Sequence, residues 1–215
     1  MSKPILVDLF CCGGGAGKGY ADAGFEVWGV DINPQPKYPF KFIQDDAIEF
    51  FKKNHHLFDA WHASPPCQNN TKSTKTHKAK GKVYECFIER VRDMFNEAGD
   101  KPWIIENTMD APLIDPVMLC GGMFGLKTYR HRLFESNIEL IVPEHPEHIA
   151  KNAKMGRAPK DGEFIQVVGH FSGVPFAREA MGISWLGQKE LAQAIPPAYT
   201  EYLGKQLMRA VNERK

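Results

Sequence analysis

The sequence predicts an α/β protein with a doubly wound, mostly parallel sheet. Short apolar runs alternate with helical patterns along residues 5–106, which is typical of strand–helix–strand units. Most of these runs also end in an acidic residue or in a cysteine-containing turn. Ligands of doubly wound sheets bind beyond the carboxyl ends of the strands, so the residues at these ends are the first candidates for a functional site.

The individual elements follow from the apolar pattern. Five apolar runs are predicted to be strands, at residues 5–10, 26–32, 41–44, 59–63 and 103–106. Helices are predicted between them at about residues 17–23, in the stretch that follows Asp46 and ends at residue 54, and at residues 83–97. In the last of these, apolar residues recur at helical spacing. Later candidates are strands at residues 133–136 and 164–168 and a final helix after Pro196-Pro197.

Composition narrows the class of protein. The chain has 215 residues, of which 43% are hydrophobic and 25% charged, as is ordinary for a soluble globular enzyme. The net charge of +1 does not indicate a nucleic-acid partner, so such a partner must be recognised from a local patch. No apolar run reaches transmembrane length, and no signal peptide precedes the first strand-like run. We therefore expect a cytoplasmic protein without a membrane partner.

The five cysteines are expected to be reduced. They are odd in number and lack paired Cys-x-x-Cys spacing, which argues against a disulfide framework and against a zinc site. Cys86 and Cys120 are interpreted as structural, and Cys11 and Cys12 as packing beside a glycine turn. The histidines at 55–56 and within 143–148 are interpreted as surface residues, so no metal is expected.

A glycine-rich turn after the first strand indicates a nucleotide-like cofactor. Glycines allow close backbone approach, and the start of the next helix offers unpaired N–H groups. Asp31 ends the second strand, where an acid binds ribose hydroxyls, and Asp46 ends the third, where it can accept from an adenine amino group. No Lys-Ser/Thr follows the glycines, which disfavours ATP hydrolysis. The alternatives are a turn without ligand and acids that only cap helices.

Two further strand ends carry reactive groups. Ser64-Pro-Pro-Cys-Gln68 places Cys67 on a stiff polar turn, where a thiolate nucleophile is favoured over simple packing. Glu106 follows the apolar run Trp103-Ile-Ile105, and burial raises the pKa of a carboxyl and makes it a usable proton donor. The alternative for Glu106 is a structural carboxylate bonded to the backbone.

Two cationic segments suggest an anionic substrate. Arg130 and Arg132 alternate in a strand-like segment, so both are predicted to face one side and to suit a carboxylate, a phosphate or a base edge. Residues 69–82 contain five lysines, including Lys72 and Lys75, and no acid. Its position beside Cys67 suggests that the substrate is a polyanion and that the protein closes over it. The alternatives are surface arginines and a solvated loop.

Taken together, these motifs resemble the cytosine-C5 DNA methyltransferase family. The resemblance covers most of the chain in the family's order. It runs through Asp8-Leu-Phe-Cys-Cys-Gly-Gly-Gly15, Val30-Asp31, Asp46, Pro65-Pro-Cys-Gln68, Glu106-Asn107, Phe124-Gly125, Arg130-His-Arg132 and Ala194-Ile-Pro-Pro197. Compact phage-encoded members look most similar. The sequence departs from the family's pattern at Cys12, Thr108, Tyr129 and Gln193, where the family prefers Gly, Val, Gln and Asn.

The resemblance implies a Rossmann-like, class I methyltransferase fold that binds S-adenosylmethionine and releases S-adenosylhomocysteine. Phe10 would stack on the adenine, Asp31 would hold the ribose and Asp46 would meet the adenine amino group. The residues expected to bind the cofactor are Asp8, Phe10, Gly13, Gly14, Gly15, Asp31, Ile32, Asp46, Ala47, Pro66, Gln193 and Ala194.

The resemblance also implies chemistry on double-stranded DNA. A cytosine would be flipped out of the duplex, and the Cys67 thiolate would add to C6 of its ring. Glu106 would hydrogen-bond or protonate N3, Arg132 would support the base and Arg130 would order the site. Gln68, Asn107, Lys72 and Lys75 are expected to contact the substrate.

The same resemblance divides the chain into three regions. Residues 1–136 would form the catalytic and cofactor-binding core, 137–182 a reduced target-recognition insert, and 183–215 a segment returning to the core. The insert is too short for an independent core by size alone, so the target-recognition domain is minimal or absent. We therefore expect short or relaxed sequence specificity, or recognition supplied by a second subunit. The rival functions are tRNA cytosine-C5 methylation, the same chemistry on a free nucleotide, and a catalytically silent DNA-binding homologue.

Overall fold

A seven-stranded sheet forms the centre of the protein. The computed structural model describes residues 2–66, 87–154 and 156–214. Within them the strands are β1 (Ile5–Leu9), β2 (Glu26–Asp31), β3 (Lys41–Gln44), β4 (Ala60–Ala63), β5 (Trp103–Asn107), β6 (Val117–Leu119) and β7 (Arg132–Ser136). Their order is β3-β2-β1-β4-β5-β7-β6. The first five in this order run parallel, whereas β7 is antiparallel to both β5 and β6. The mostly parallel, doubly wound sheet is thus confirmed.

Helices cover both faces of this sheet. They are α1 (Gly15–Asp22), α2 (Ala47–Asn54), α3 (Phe87–Glu97), α4 (Val174–Met181), α5 (Gln188–Gln193) and α6 (Pro197–Glu213), with 3-10 turns at His55–Leu57 and Gly121–Phe124. Side chains alternate along the strands, so Val7 and Trp61 pack with α2 and α3, whereas Leu6 and Ala60 pack with α1 and α6. Among the described residues, no helix is both long and apolar enough to cross a membrane.

Close packing of α1 against α6 explains one of the early glycines. A Cβ atom at Gly19 would overlap the Pro197 carbonyl and the Thr200 hydroxyl, so only glycine fits at this crossing. The Thr200 hydroxyl in turn donates to the Ala16 carbonyl at 2.8 Å. The final helix is therefore fixed directly behind the glycine turn that begins α1.

The structure differs from the sequence prediction in several elements. The predicted strand at residues 164–168 is wrong, because this segment makes only an isolated bridge between Asn152 and Phe164. The sequence analysis did not predict β6, which has three residues, or α4 and α5. Of the predicted helix at 83–97, residues 83–86 lie outside the described part of the chain.

A third hydrophobic cluster lies away from the sheet, at residues 165–194. Its largest members are Phe171, Met181, Leu186 and Leu191, each at most 3% exposed. The cluster spans the predicted boundary between residues 182 and 183. The insert therefore shares its buried core with the segment that follows it and does not depend on residues 137–182 alone.

Candidate active site

A pocket of about 590 Å³ opens at the carboxyl ends of β1, β2, β4 and β5. Because these strands are parallel, their ends meet at one edge of the sheet. Most of the predicted site residues line this pocket. They are Asp8, Phe10, Gly13, Gly15, Asp31, Ile32, Asp46, Ala47, Pro66, Glu106, Asn107, Arg132, Gln193 and Ala194. Gly14 and Arg130 are not among the lining residues, and Cys67, Gln68, Lys72 and Lys75 lie outside the described part of the chain.

The glycine turn holds Asp31 in a fixed orientation. The backbone N–H of Cys12 donates to Asp31 Oδ2 at 3.0 Å, and that of Asn33 donates to Oδ1 at 2.9 Å. Cys12 has a φ of 44°, in the left-handed region that favours glycine. Cys12 thus has a glycine-like backbone conformation although it carries a side chain. Oδ1 also accepts from the Asn33 side-chain amide at 3.5 Å, whereas Oδ2 retains capacity for a second hydrogen bond.

Asp46 both caps a helix and lines the pocket. Its Oδ1 accepts from the backbone N–H groups of Ile48 and Glu49 at 2.9 and 3.0 Å, so it is the N-cap of α2. The residue also lines the pocket. The sequence analysis treated helix capping as the alternative to ligand binding, and the structure shows that the cap is present.

Asp8 is fully buried beneath the glycine turn. Its Oδ1 lies 2.8 Å from His62 Nδ1 in β4, and its Oδ2 accepts from the Tyr38 hydroxyl at 3.3 Å. Burial and the Asp8 charge raise the pKa of Tyr38, so this hydroxyl stays protonated and donates. The sequence analysis missed His62 and Tyr38. The one available signal was a histidine within the otherwise apolar strand Ala60–Ala63.

Glu106 and Arg132 form an ion pair at the wall of the pocket. Arg132 Nε lies 2.9 Å from Glu106 Oε1, and the two side chains are only 15% and 7% exposed. The antiparallel register places Glu106 opposite Phe134, two residues beyond Arg132, so the two side chains are diagonal neighbours on one face. Burial of Glu106 agrees with the sequence prediction, whereas its partner was not predicted.

Asn107 holds the segment that leads to Cys67. Its Nδ2 donates to the Pro65 carbonyl at 2.9 Å, and its Oδ1 accepts from the backbone N–H of Thr108 at 2.9 Å. Ser64 N also donates to the Leu9 carbonyl at 3.1 Å. The amide of Asn107 was expected to contact substrate, but here it orders the backbone immediately before Cys67.

Arg130 is a buried structural residue and does not face the pocket. Its guanidinium donates to the carbonyls of Ala194 and Ala192, each at 2.8 Å, and to that of Val167. Burial, and then the charge of Arg132, lower its pKa well below the usual arginine value. Arg130 precedes β7 and has a φ of 28°, which breaks the strand alternation. The prediction that Arg130 and Arg132 face the same side is therefore wrong.

The two cysteines of the glycine turn are poor nucleophiles. Burial, followed by the charge of Asp31, raises the pKa of Cys12 to about 12. Burial, followed by the charge of Asp8, raises the pKa of Cys11 further. Because the thiolate is the reactive form, neither thiol suits covalent chemistry at neutral pH.

The fold is the Rossmann-like fold of class I S-adenosylmethionine-dependent methyltransferases. A crystal structure of a DNMT2 mutant from Spodoptera frugiperda matches with a TM-score of 0.64 and 12% identity, over 95% of this chain and 99% of that one. The methyltransferase EhMeth from Entamoeba histolytica matches with a TM-score of 0.64 and 14% identity, over 98% of this chain and 99% of that one. At these identities the likeness shows the fold.

A curated protein is also similar in sequence. It is the "Putative type II methyltransferase M.MJ0563P" of Methanocaldococcus jannaschii, 26% identical over 197 residues. The match covers 74% of this chain and 63% of that protein, so the chain spans less than two thirds of the length of this relative. No protein-family profile matches the chain.

Proposed function

We infer that the protein is a DNA (cytosine-5-)-methyltransferase that uses S-adenosylmethionine and a covalent bond between Cys67 and C6 of a flipped cytosine. One observation carries this proposal. The buried Glu106–Arg132 pair forms a wall of the same pocket that Pro66, the residue before Cys67, also lines. A carboxyl, a guanidinium and the chain leading to a thiol thus converge on one cavity that also holds Asp31.

The lining of the pocket suits S-adenosylmethionine. Asp31 presents an oriented carboxylate for the ribose hydroxyls. Ile32 is 64% exposed at the same edge, an apolar surface that a purine ring would cover, and the Phe10 ring lies at the pocket in edge contact with Phe87. The volume lies within the usual range of 300 to 1,000 Å³ for a small-molecule site. S-adenosylmethionine bound there supplies an electrophilic methyl group.

The position of Cys67 and the family resemblance support its role as the nucleophile. Cys11 and Cys12 are held as thiols by burial and by nearby carboxylates. Cys67 follows Pro66, and Asn107 fixes the carbonyl of Pro65 two residues before it. The described part of the chain is thus held in place up to the point where it leads to Cys67.

The proposed reaction begins with addition of Cys67 to the base. The Cys67 thiolate adds to C6 of the flipped cytosine, and the electron pair of the C5–C6 double bond moves towards C5. Glu106 hydrogen-bonds or protonates N3, which favours the addition, and Arg132 orients Glu106 and the base. C5 then bonds to the methyl carbon while the bond from that carbon to the sulfonium sulfur breaks, and S-adenosylhomocysteine is left. Transfer of the C5 proton to water restores the C5–C6 double bond and expels the Cys67 thiolate, and N3 returns any proton that it received to Glu106.

We further propose that target recognition is short or relaxed, or that a second subunit supplies it. The insert at 137–182 shares its hydrophobic cluster with residues up to Ala194. Arg130 also ties Val167 of the insert to Ala192 and Ala194. Much of the short insert is thus committed to packing, which leaves little surface for reading a long DNA sequence. Lys72 and Lys75 would contact the DNA backbone.

The test is covalent trapping by DNA that contains 5-fluorocytosine. Fluorine at C5 cannot leave as a proton would, so the enzyme should remain bonded to the base through Cys67 when S-adenosylmethionine is present. We expect a denaturation-resistant complex whose mass equals enzyme plus methylated oligonucleotide. Peptide mapping should locate the bond at Cys67.

Two cysteine variants sharpen this test. Cys67→Ser should abolish trapping and turnover while S-adenosylmethionine still binds in calorimetry, whereas Cys86→Ser should behave as the wild type. Equal trapping by Cys67→Ser would refute the mechanism. Bisulfite sequencing of DNA and tRNA from expressing cells separates the substrates, and modified cytosines found only in tRNA would overturn the DNA assignment.

A further inference from the structure

Four potential metal ligands converge outside the pocket. The ligand atoms of Cys120, His131, His145 and His148 all lie within 4.8 Å of one another. Cys120 Sγ is 3.3 Å from His148 Nε2, and His131 Nε2 is 3.1 Å from His145 Nε2. The sequence analysis interpreted Cys120 as structural and His145 and His148 as surface residues, and it gave His131 no role of its own.

The separations are close to those of a tetrahedral zinc site. With Zn–N bonds near 2.0 Å and a Zn–S bond near 2.3 Å, the edges of the tetrahedron are about 3.3 Å between two nitrogens and about 3.5 Å between sulfur and nitrogen. The Cys120–His148 and His131–His145 pairs are within a few tenths of an ångström of these values. The other pairs are at most 4.8 Å apart, so reaching a tetrahedral edge requires a movement of at most about 1.5 Å. Because His145 and His148 are exposed, rotation of their side chains can supply that movement.

Neighbouring aromatic side chains support the cluster. The His148 ring is stacked on Tyr129 at 3.6 Å between centroids, and the Tyr129 hydroxyl donates to the Ala150 carbonyl at 2.9 Å. Such supporting contacts orient metal ligands.

We propose that Cys120, His131, His145 and His148 bind one Zn²⁺ ion in a closed, structural site. The ligands come from three places in the fold. Cys120 follows β6, His131 precedes β7, and His145 and His148 belong to the insert. The ion fastens the start of the insert to the antiparallel edge of the sheet. His131 also lies directly before Arg132, whose Nη1 donates to the His131 carbonyl at 2.8 Å, so the ion restrains one end of the Glu106–Arg132 pair.

The proposal is tested by metal content and by cobalt spectroscopy on the full chain. Protein expressed with added zinc and dialysed without chelator should contain one zinc per chain by mass spectrometry. Protein reconstituted with Co²⁺ should show intense tetrahedral d–d bands and a thiolate-to-cobalt charge-transfer band in the near ultraviolet. A wild type without zinc and without the charge-transfer band would overturn the proposal.

Matched variants distinguish a built site from chance binding by surface histidines. His145→Ala removes one exposed ligand and should weaken zinc affinity by at least about 10-fold in competition with a chromophoric chelator. His170→Ala removes another exposed histidine of the same insert and should leave the affinity unchanged. Equal weakening by the two variants, or none by His145→Ala, refutes the site. Cys120→Ser should abolish the charge-transfer band, and His145→Ala supplies the test if that buried substitution prevents folding.

Discussion

At the level of single residues, the two arginines two positions apart have opposite roles. Arg132 faces the pocket and pairs with Glu106, whereas Arg130 donates to three backbone carbonyls in the interior. Because both residues are arginines, the sequence analysis predicted the same orientation for them. The positive φ of Arg130 separates them, and no local pattern of residue types signals that conformation.

Arginine-to-lysine substitutions should reveal this difference. Arg130→Lys leaves two or more buried carbonyls without a donor, since an ammonium cannot span the three sites, and it should reduce the free energy of unfolding by about 3 kcal/mol. Arg132→Lys should keep the melting temperature within about 2 °C while it lowers kcat/KM by at least about 10-fold. Urea titration and thermal melting of both variants measure stability, and methyl-transfer kinetics measure activity. Equal loss of stability in both variants would contradict the assignment.

The carboxyl of Glu106 should matter for turnover and not for cofactor affinity. Glu106→Gln keeps the shape of the side chain but removes proton transfer and the ion pair with Arg132, so kcat should fall by about 100-fold or more. The dissociation constant of S-adenosylmethionine, measured by calorimetry, should change little. Glu89→Gln, on the exposed face of α3, is the control and should retain full activity. A Glu106→Gln enzyme with normal kcat would exclude the proposed role.

At the level of elements, the parallel strands, β7, the helices between the parallel strands and the final helix were predictable, whereas β6, α4, α5 and the pairing of β7 were not. Strands β1 to β5 are apolar runs whose burial is visible locally, and the site residues follow from the rule that ligands bind at strand ends. The segment 164–168 is apolar and partly buried but irregular. Periodicity alone does not distinguish such a segment from a buried strand. The Glu106–Arg132 pair and the Cys120–histidine cluster depend on antiparallel pairing of β7, a non-local contact.

The crossing of α1 and α6 should be intolerant of any side chain at Gly19. Alanine is favoured over glycine in a helix interior by about 1 kcal/mol, but a Cβ here overlaps the Pro197 carbonyl. Gly19→Ala should therefore lower the free energy of unfolding by about 2 kcal/mol or more. Lys18→Ala, one residue earlier with a half-exposed side chain, should stay within about 0.5 kcal/mol of the wild type. Urea denaturation compares the two variants, and a Gly19→Ala protein as stable as the wild type would disprove the steric argument.

At the level of the whole molecule, charge is balanced but its placement is uneven. The net charge is only +1, yet five lysines fall within residues 69–82 and no acid accompanies them. This segment follows Cys67 directly in the chain. Electrostatic attraction of DNA would therefore arise near the pocket and not from the molecule as a whole.

The salt dependence of DNA binding should report this local patch. Replacing Lys72 and Lys75 together with alanine should reduce the slope of log K against log salt by up to about 1.8, because each phosphate contact contributes about 0.9. Lys52→Ala with Lys53→Ala removes the same charge from the end of α2, which runs away from the pocket, and should leave the slope unchanged. Fluorescence anisotropy across a salt series gives both slopes. Equal slopes for the two double variants would contradict a local patch.

The hydrophobic cluster at residues 165–194 has a consequence for engineering. A chimera designed to change which DNA is modified would ordinarily exchange only the loop between the arginine segment and residue 182. Such a splice cuts through side chains that interlock, Phe171 and Met181 on one side and Leu186 and Leu191 on the other. A functional cassette must extend to Ala194 and bring its own partner for the Arg130 guanidinium.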